Sequence, residues 1–167
     1  MKLYRFSPIE SEEQLFKAFE YIHSSTQKLC KGAYGEYLPN RGTLVIFCHY
    51  DNEYKYLDSL LDKLTNKEDS FNGKYYRLKE PLVIPVQDDI PSATYTYLYI
   101  RKPDPWRSQV GDVDFVLSPE KYKVLKQSLS EKEGEKMRVF PRDDLDLLEL
   151  HSPDFDVLAY IASKGIN

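Results

Sequence analysis

The chain has 167 residues, a formal net charge of −4 and 41% hydrophobic residues, a count that includes 14 tyrosines. That size fits one domain able to bury a core, and the acidic balance argues against non-specific binding to nucleic-acid backbones. No apolar run approaches the roughly 18 residues of a membrane helix, and the opening KLYRFSPIESEEQ lacks the apolar core of a secretory signal, so the expected setting is the cytosol, away from membranes.

Residues 2–6 alternate weakly and are expected to form a first strand. Ser11 with Gln14 three positions on makes a capping box, which predicts a helix through Leu15, Ala18, Phe19, Ile22 and Leu29, with Gly32 as its left-handed stop. The run TLVIFCH, 43–49, is continuously apolar and rich in β-branched residues, the pattern of a strand covered on both faces and central in its sheet. Asp51 is the expected cap of a second helix, whose Tyr54, Leu57, Leu60, Leu61 and Leu64 make one apolar stripe before TNKEDSFNG interrupts it.

Beyond Gly73 the segments KYYRL, LVIPV, TYTYLYIR and DVDFVL read as four short strands separated by turn residues. Ser118-Pro119-Glu120 predicts a third helix start, and the same grammar at Ser152-Pro153-Asp154 predicts a last helix over FDVLAYIAS. KMRVF between them reads as a strand, while 142–150 has no assignable pattern. No internal repeat is visible. The expected fold is a single α+β domain over 1–167, a β-α-β-α portion feeding a mixed, largely antiparallel sheet with helices mainly on one face.

The stretch TYTYLYIRKPDPWRSQVGDVDFVL, 94–117, carries the main functional expectation. Tyr95, Tyr97, Tyr99 and Arg101 share one face of a strand, and Asp112 and Asp114 share one face of the next. Pairing the two as a hairpin, core to core, sets Arg101 opposite Asp112 and Tyr99 opposite Asp114. The polar face so formed suits ordinary aromatic sheet packing with an ion pair at its edge. It also suits a binding surface on which Tyr97, Tyr99, Arg101, Asp112 and Asp114 engage a small anionic ligand or a protein partner, including a second copy of the chain.

Another candidate site lies at His49 and Asp51, just past the carboxyl end of the central strand, where ligands gather in open α/β sheets. There His49 is a candidate general base oriented by Asp51, in a small hydrolase assisted by a divalent cation at Asp112 and Asp114. The competing reading makes Asp51 a helix cap and His49 a satisfied loop residue. Cys30 and Cys48 stand in no CxxC arrangement and are expected to be buried thiols.

Gly32-Ala33-Tyr34-Gly35 has the spacing of the G-x-x-G loop of KH domains, but a proline-containing loop and a buried strand follow it in place of a second helix, and nucleic-acid binding is not expected. No glycine-rich phosphate loop is present, and neither a cofactor nor a resident metal is expected. The preferred reading is a non-catalytic binding module, with the hydrolase as its alternative.

Overall fold

The computed structural model describes residues 4–130, 137–142 and 145–163. Helix α1 spans Glu12–Tyr34 and is fixed by its ends. Ser11 Oγ accepts from the Gln14 N–H at 3.2 Å, and Gln14 Oε1 accepts from the Glu10 N–H at 2.7 Å, so the expected cap forms with its return bond one residue upstream. The helix passes Gly32 and stops at Gly35, whose φ of 90° releases the chain and whose N–H bonds to Lys31 O. Of the expected leading strand, residues 4–6 are not strand, and positions 2 and 3 lie outside the described residues.

Strand β1 (Asn40–Phe47) is buried on both faces from Gly42's neighbour Thr43 onward, as its apolar run predicts. Helix α2 (Asp51–Leu64) follows, but Asp51 is its first residue and is exposed; the capping carboxylate is Glu53, whose Oε2 accepts from the N–H groups of His49 and Tyr50 at 2.8 and 3.3 Å. The polar stretch expected to break the pattern is strand β2 (Thr65–Phe71). KYYRL and LVIPV join into one strand, β3 (Tyr75–Ile84), with Pro81 inside a register shift between Arg77 and Leu82, where no regular ladder donor is lost. Strands β4 (Ala93–Arg101) and β5 (Gly111–Val116) and helix α3 (Pro119–Ser130) follow as expected.

The unassigned 142–150 stretch contains strand β7 (Leu145–Leu150), paired with β6 (Met137–Arg142). The last helix expected from Ser152-Pro153-Asp154 is absent. Those residues close a turn, with Phe155 N–H on Ser152 O at 3.1 Å, and FDVLAYIAS supplies strand β8 (Val157–Ala162). Buried between β5 and β7, it needs apolar residues on both faces, which reads as a helix when periodicity alone is consulted.

One sheet of order β2-β3-β4-β1-β5-β8-β7-β6 results, parallel at β1–β4 and β5–β8 and antiparallel elsewhere. This order contains a repeat that the residues do not announce. The unit β1-α2-β2-β3-β4 is a strand, a helix and a three-strand meander whose last strand returns parallel to the first. The unit β5-α3-β6-β7-β8 has the same connectivity, and the two meet at the antiparallel β1–β5 pair.

All three helices bury their apolar residues in one cluster with Leu44, Ile46, Leu98, Ile100, Val113, Phe115 and Ile161 of the sheet. Leu15, Phe19 and Ile22 of α1, Leu57 and Leu61 of α2 and Leu125 of α3 belong to it, so the helices share one face, as expected. Cys30 and Cys48 are buried free thiols in the same core, and burial pushes both above the usual thiol range.

Candidate functional site

The hairpin expected from 94–117 does not form. Strand β1 lies between β4 and β5, parallel to the first and antiparallel to the second, so Arg101 does not oppose Asp112, nor Tyr99 Asp114. The reason is connectivity: in each unit the last strand of the meander returns beside the strand that opened the unit, and the β4–β5 chain segment crosses over β1. The shared face nevertheless survives, because β1 transmits the side-chain alternation. Val45 pairs with Tyr99 on one side and with Asp112 on the other, and Asp112 pairs with Leu158, giving the row Tyr99–Val45–Asp112–Leu158 on one face of the sheet.

Tyr95 leaves this group. Opposite the irregular part of β3 the alternation of β4 slips, and Tyr95 turns with Leu98 and Ile100 toward the helices, where its hydroxyl lies 2.8 Å from His23 Nδ1. Tyr97, Tyr99, Arg101, Asp112 and Asp114 remain on the helix-free side.

The floor of that side is a second apolar cluster of Val45, Phe47 and Leu158, flanked by Tyr75, Tyr99 and Tyr160. Among the described residues no helix joins it, yet Val45, Phe47 and Leu158 are at most 2% exposed, with Tyr75, Tyr99 and Tyr160 packed against them. Tyr75 and Tyr99 rings approach to 5.3 Å at a tilt, and the Arg101 guanidinium lies 5.0 Å from the centre of the Phe47 ring. Arg101 reaches Asp104 only loosely, at 3.5 Å, and keeps 31% of its side-chain surface in solvent.

Into this floor projects Asp112, 5% exposed, with Oδ1 buried and without a hydrogen-bond partner. Burial, and then the neighbouring Asp114, push its carboxyl well above the usual carboxylate range, against the opposing pull of Arg101. Asp114 itself accepts from Thr43 Oγ1 at 2.6 Å. Two further groups complete the setting and were not legible in the sequence. Glu149 on β7 is buried, accepts from the Tyr160 hydroxyl at 2.8 Å and lies 3.7 Å from Arg107 of the β4–β5 segment. Both Glu149 and Tyr160 fall in stretches whose sequence pattern was unassigned or helical, so nothing placed them on this face. Among the described residues no three His, Cys, Asp or Glu side chains group to hold a metal ion.

His49 and Asp51 stand elsewhere. His49 lies four residues beyond Val45, about 13 Å of extended chain, while Asp114 lies in the opposite direction beside Thr43, so the two candidate pairs do not converge. The His49 ring stacks on Tyr4 at 3.8 Å, and its Nδ1 is 2.8 Å from Ser7 Oγ. Ser7 donates to Glu53 Oε1, so its oxygen accepts from His49 Nδ1–H; the hydroxyl is committed to a carboxylate and is not activated by the imidazole. Glu53, 1% exposed, also accepts from the Ile9 N–H at 3.0 Å. Together these bonds pin the segment before α1 to the start of α2, a structural task.

Fold and face together define a single α+β domain of duplicated strand-helix-meander units, with one helix-covered side and one side lined by aromatic and charged groups. No protein-family model matches the chain, and no curated protein matches it in sequence. Among solved structures it is similar to a structural-genomics protein, EC4020, with a TM-score of 0.60 at 13% identity over 99% of this chain and 94% of that one. That likeness establishes a shared fold.

Looser likenesses are to a glyoxalase/bleomycin resistance protein/dioxygenase superfamily member from Vibrio splendidus 12B01 (TM-score 0.37, 9% identity, 72% of this chain and 94% of that one) and to a Streptomyces coelicolor methylmalonyl-CoA epimerase in complex with 2-nitronate-propionyl-CoA (TM-score 0.34, 16% identity, 75% and 96%). They superpose too loosely to carry any inference about this chain.

Proposed function

We propose that the protein is a binding module whose helix-free sheet face takes a small anionic ligand, with Arg101 as its cationic anchor and Tyr97, Tyr99, Asp112 and Asp114 lining the place. The observation that supports this most is the second apolar cluster. Three side chains on a face without a covering helix are excluded from water, with a partly exposed guanidinium laid across one of them. An apolar floor with a few convergent polar groups is the usual make-up of a small-molecule site. Arg101 retains donors that its loose pairing with Asp104 does not use, which suits two-point recognition of a carboxylate or phosphate.

The alternative, a small hydrolase using His49 and Asp51 with Asp112 and Asp114, draws less support, since His49 follows the carboxyl end of β1 while Asp114 bonds to Thr43 nearer its start. Titration calorimetry with a panel of small carboxylates and phosphates tests the proposal. Binding is expected for at least one of them, weakened about tenfold or more by Arg101→Gln, because a charge-assisted hydrogen bond contributes about 1.5–3 kcal/mol. Binding indifferent to that substitution, or a face covered by a second copy in a stable dimer, overturns it.

A further inference from the structure

Asp112 is a group on this face that neither packing nor pairing accounts for. Its carboxyl is 5% exposed, lies in the row Tyr99–Val45–Asp112–Leu158 among apolar and aromatic neighbours, and leaves Oδ1 buried without a partner. Every other buried carboxylate described above is satisfied: Glu53 by four donors and Glu149 by Tyr160. A buried polar atom left unmatched carries a desolvation cost, and a ligand that matches it recovers that cost.

We infer that Asp112 binds as a neutral carboxylic acid, donating its proton in a hydrogen bond to the carboxylate of a small aromatic or aliphatic acid held on its other side by Arg101. This rests on the reading of the face as an anion site and specifies its ligand. Strands β4 and β5 flank β1, so their backbones stand about 10 Å apart, with Asp112 across from Val45 and Arg101 across from Phe47, two positions further along β1.

The groups facing Asp112 come from several elements: Asp114 on β5, Arg101 on β4, Glu149 on β7 and Arg107 in the β4–β5 segment. Tyr75 on β3 and Tyr160 on β8 also sense its charge. With Asp114 and Glu149 already near, a monoanion is accommodated better than a dianion, which selects a carboxylate over a phosphate. A neutral acid has one proton to give and the incoming carboxylate has oxygens to receive it. The same buried pair with both members ionised would be repelled.

Benzoate, phenyl phosphate and benzylamine are the probes, titrated calorimetrically against wild type, Asp112→Asn, Asp112→Ala and Arg101→Gln between pH 5 and 9. Benzoate is expected to bind best, and its affinity to fall, never rise, as pH climbs through the Asp112 titration, by up to tenfold per pH unit. Asp112→Asn keeps a neutral donor, so it should hold benzoate within about threefold of wild type with a flat pH profile, whereas Asp112→Ala should lose about tenfold.

Benzoate binding that depends on Arg101 but is unmoved by either Asp112 substitution overturns this inference and leaves the anion site standing. Preference for benzylamine with affinity rising with pH overturns it too, because Asp112 would then serve as an ionised counter-charge. Preference for phenyl phosphate overturns the choice of monoanion. No binding of either anion at any pH removes the anion site and this inference together.

Discussion

His23 illustrates how a single buried side chain ties α1 to the sheet. It is wholly buried, with Nε2 3.0 Å from the Pro91 carbonyl oxygen and Nδ1 2.8 Å from the Tyr95 hydroxyl. A carbonyl only accepts, so Nε2 carries the hydrogen and Nδ1 accepts from Tyr95; the neutral ring satisfies both bonds. Burial lowers its pKa below the ordinary 6.5, with the Pro91 bond opposing.

The unfolded chain therefore binds more protons than the folded one in the window between the lowered value and 6.5. The contribution is complete above that window and is lost as pH falls through it. Urea midpoints should thus decline between pH 7 and pH 5 more steeply in wild type than in His23→Gln. Equal slopes would mean that the ring is not held neutral.

At the level of strands and helices, the central β1–β5 pair depends on a missing side chain. A Cβ on Gly111 would lie 2.1 Å from the Val45 carbonyl oxygen and 2.7 Å from Ile22 Cδ1 of α1. The first of these is backbone, which cannot step aside without breaking the pairing of Ile46 with Gly111. Gly111→Ala is therefore expected to lower stability by about 3 kcal/mol or more in chemical denaturation. An unchanged midpoint would refute the close approach of α1, β1 and β5.

The elements that the sequence made legible are those whose burial matches their period. The apolar stripes of α1 and α2 face one core, and TLVIFC is buried on both sides, so each carries its own signature. Strand β2 shows almost no such signature, because TNKEDSF is mostly exposed and is held as a strand by its ladder to β3. Strand β8 was hidden for the opposite reason, a run apolar on both faces behind a serine-proline turn. The face shared by Tyr99, Arg101, Asp112 and Asp114 was foreseen through a hairpin that does not exist. It holds because an intervening strand preserves alternation, whereas Glu149, Tyr160 and Tyr75 come from distant chain that local pattern cannot place.

On the scale of the molecule, neither unit is self-sufficient. Separated, β1 and β5 would each become an edge strand although they are buried on both faces, and α1 packs on β1 of the first unit and on β5 and β8 of the second. Trp106 in the crossing between the units is 92% exposed, so the chain there tolerates a break. Coexpressed fragments 1–105 and 106–167 should co-purify as a folded complex, with neither giving a cooperative melt alone. Independent folding of fragment 1–105 would show that the seam contributes little.

The packing of α1 on β8 also sets an order of events during translation. Residues near position 20 wait for residues near position 160, more than a hundred peptide bonds later, so the greasy side of α1 stays unsheltered until β8 has been made. Contacts so far apart in the chain form late and slowly, and the side of α1 that awaits them is the part of the early folding chain most open to misassociation.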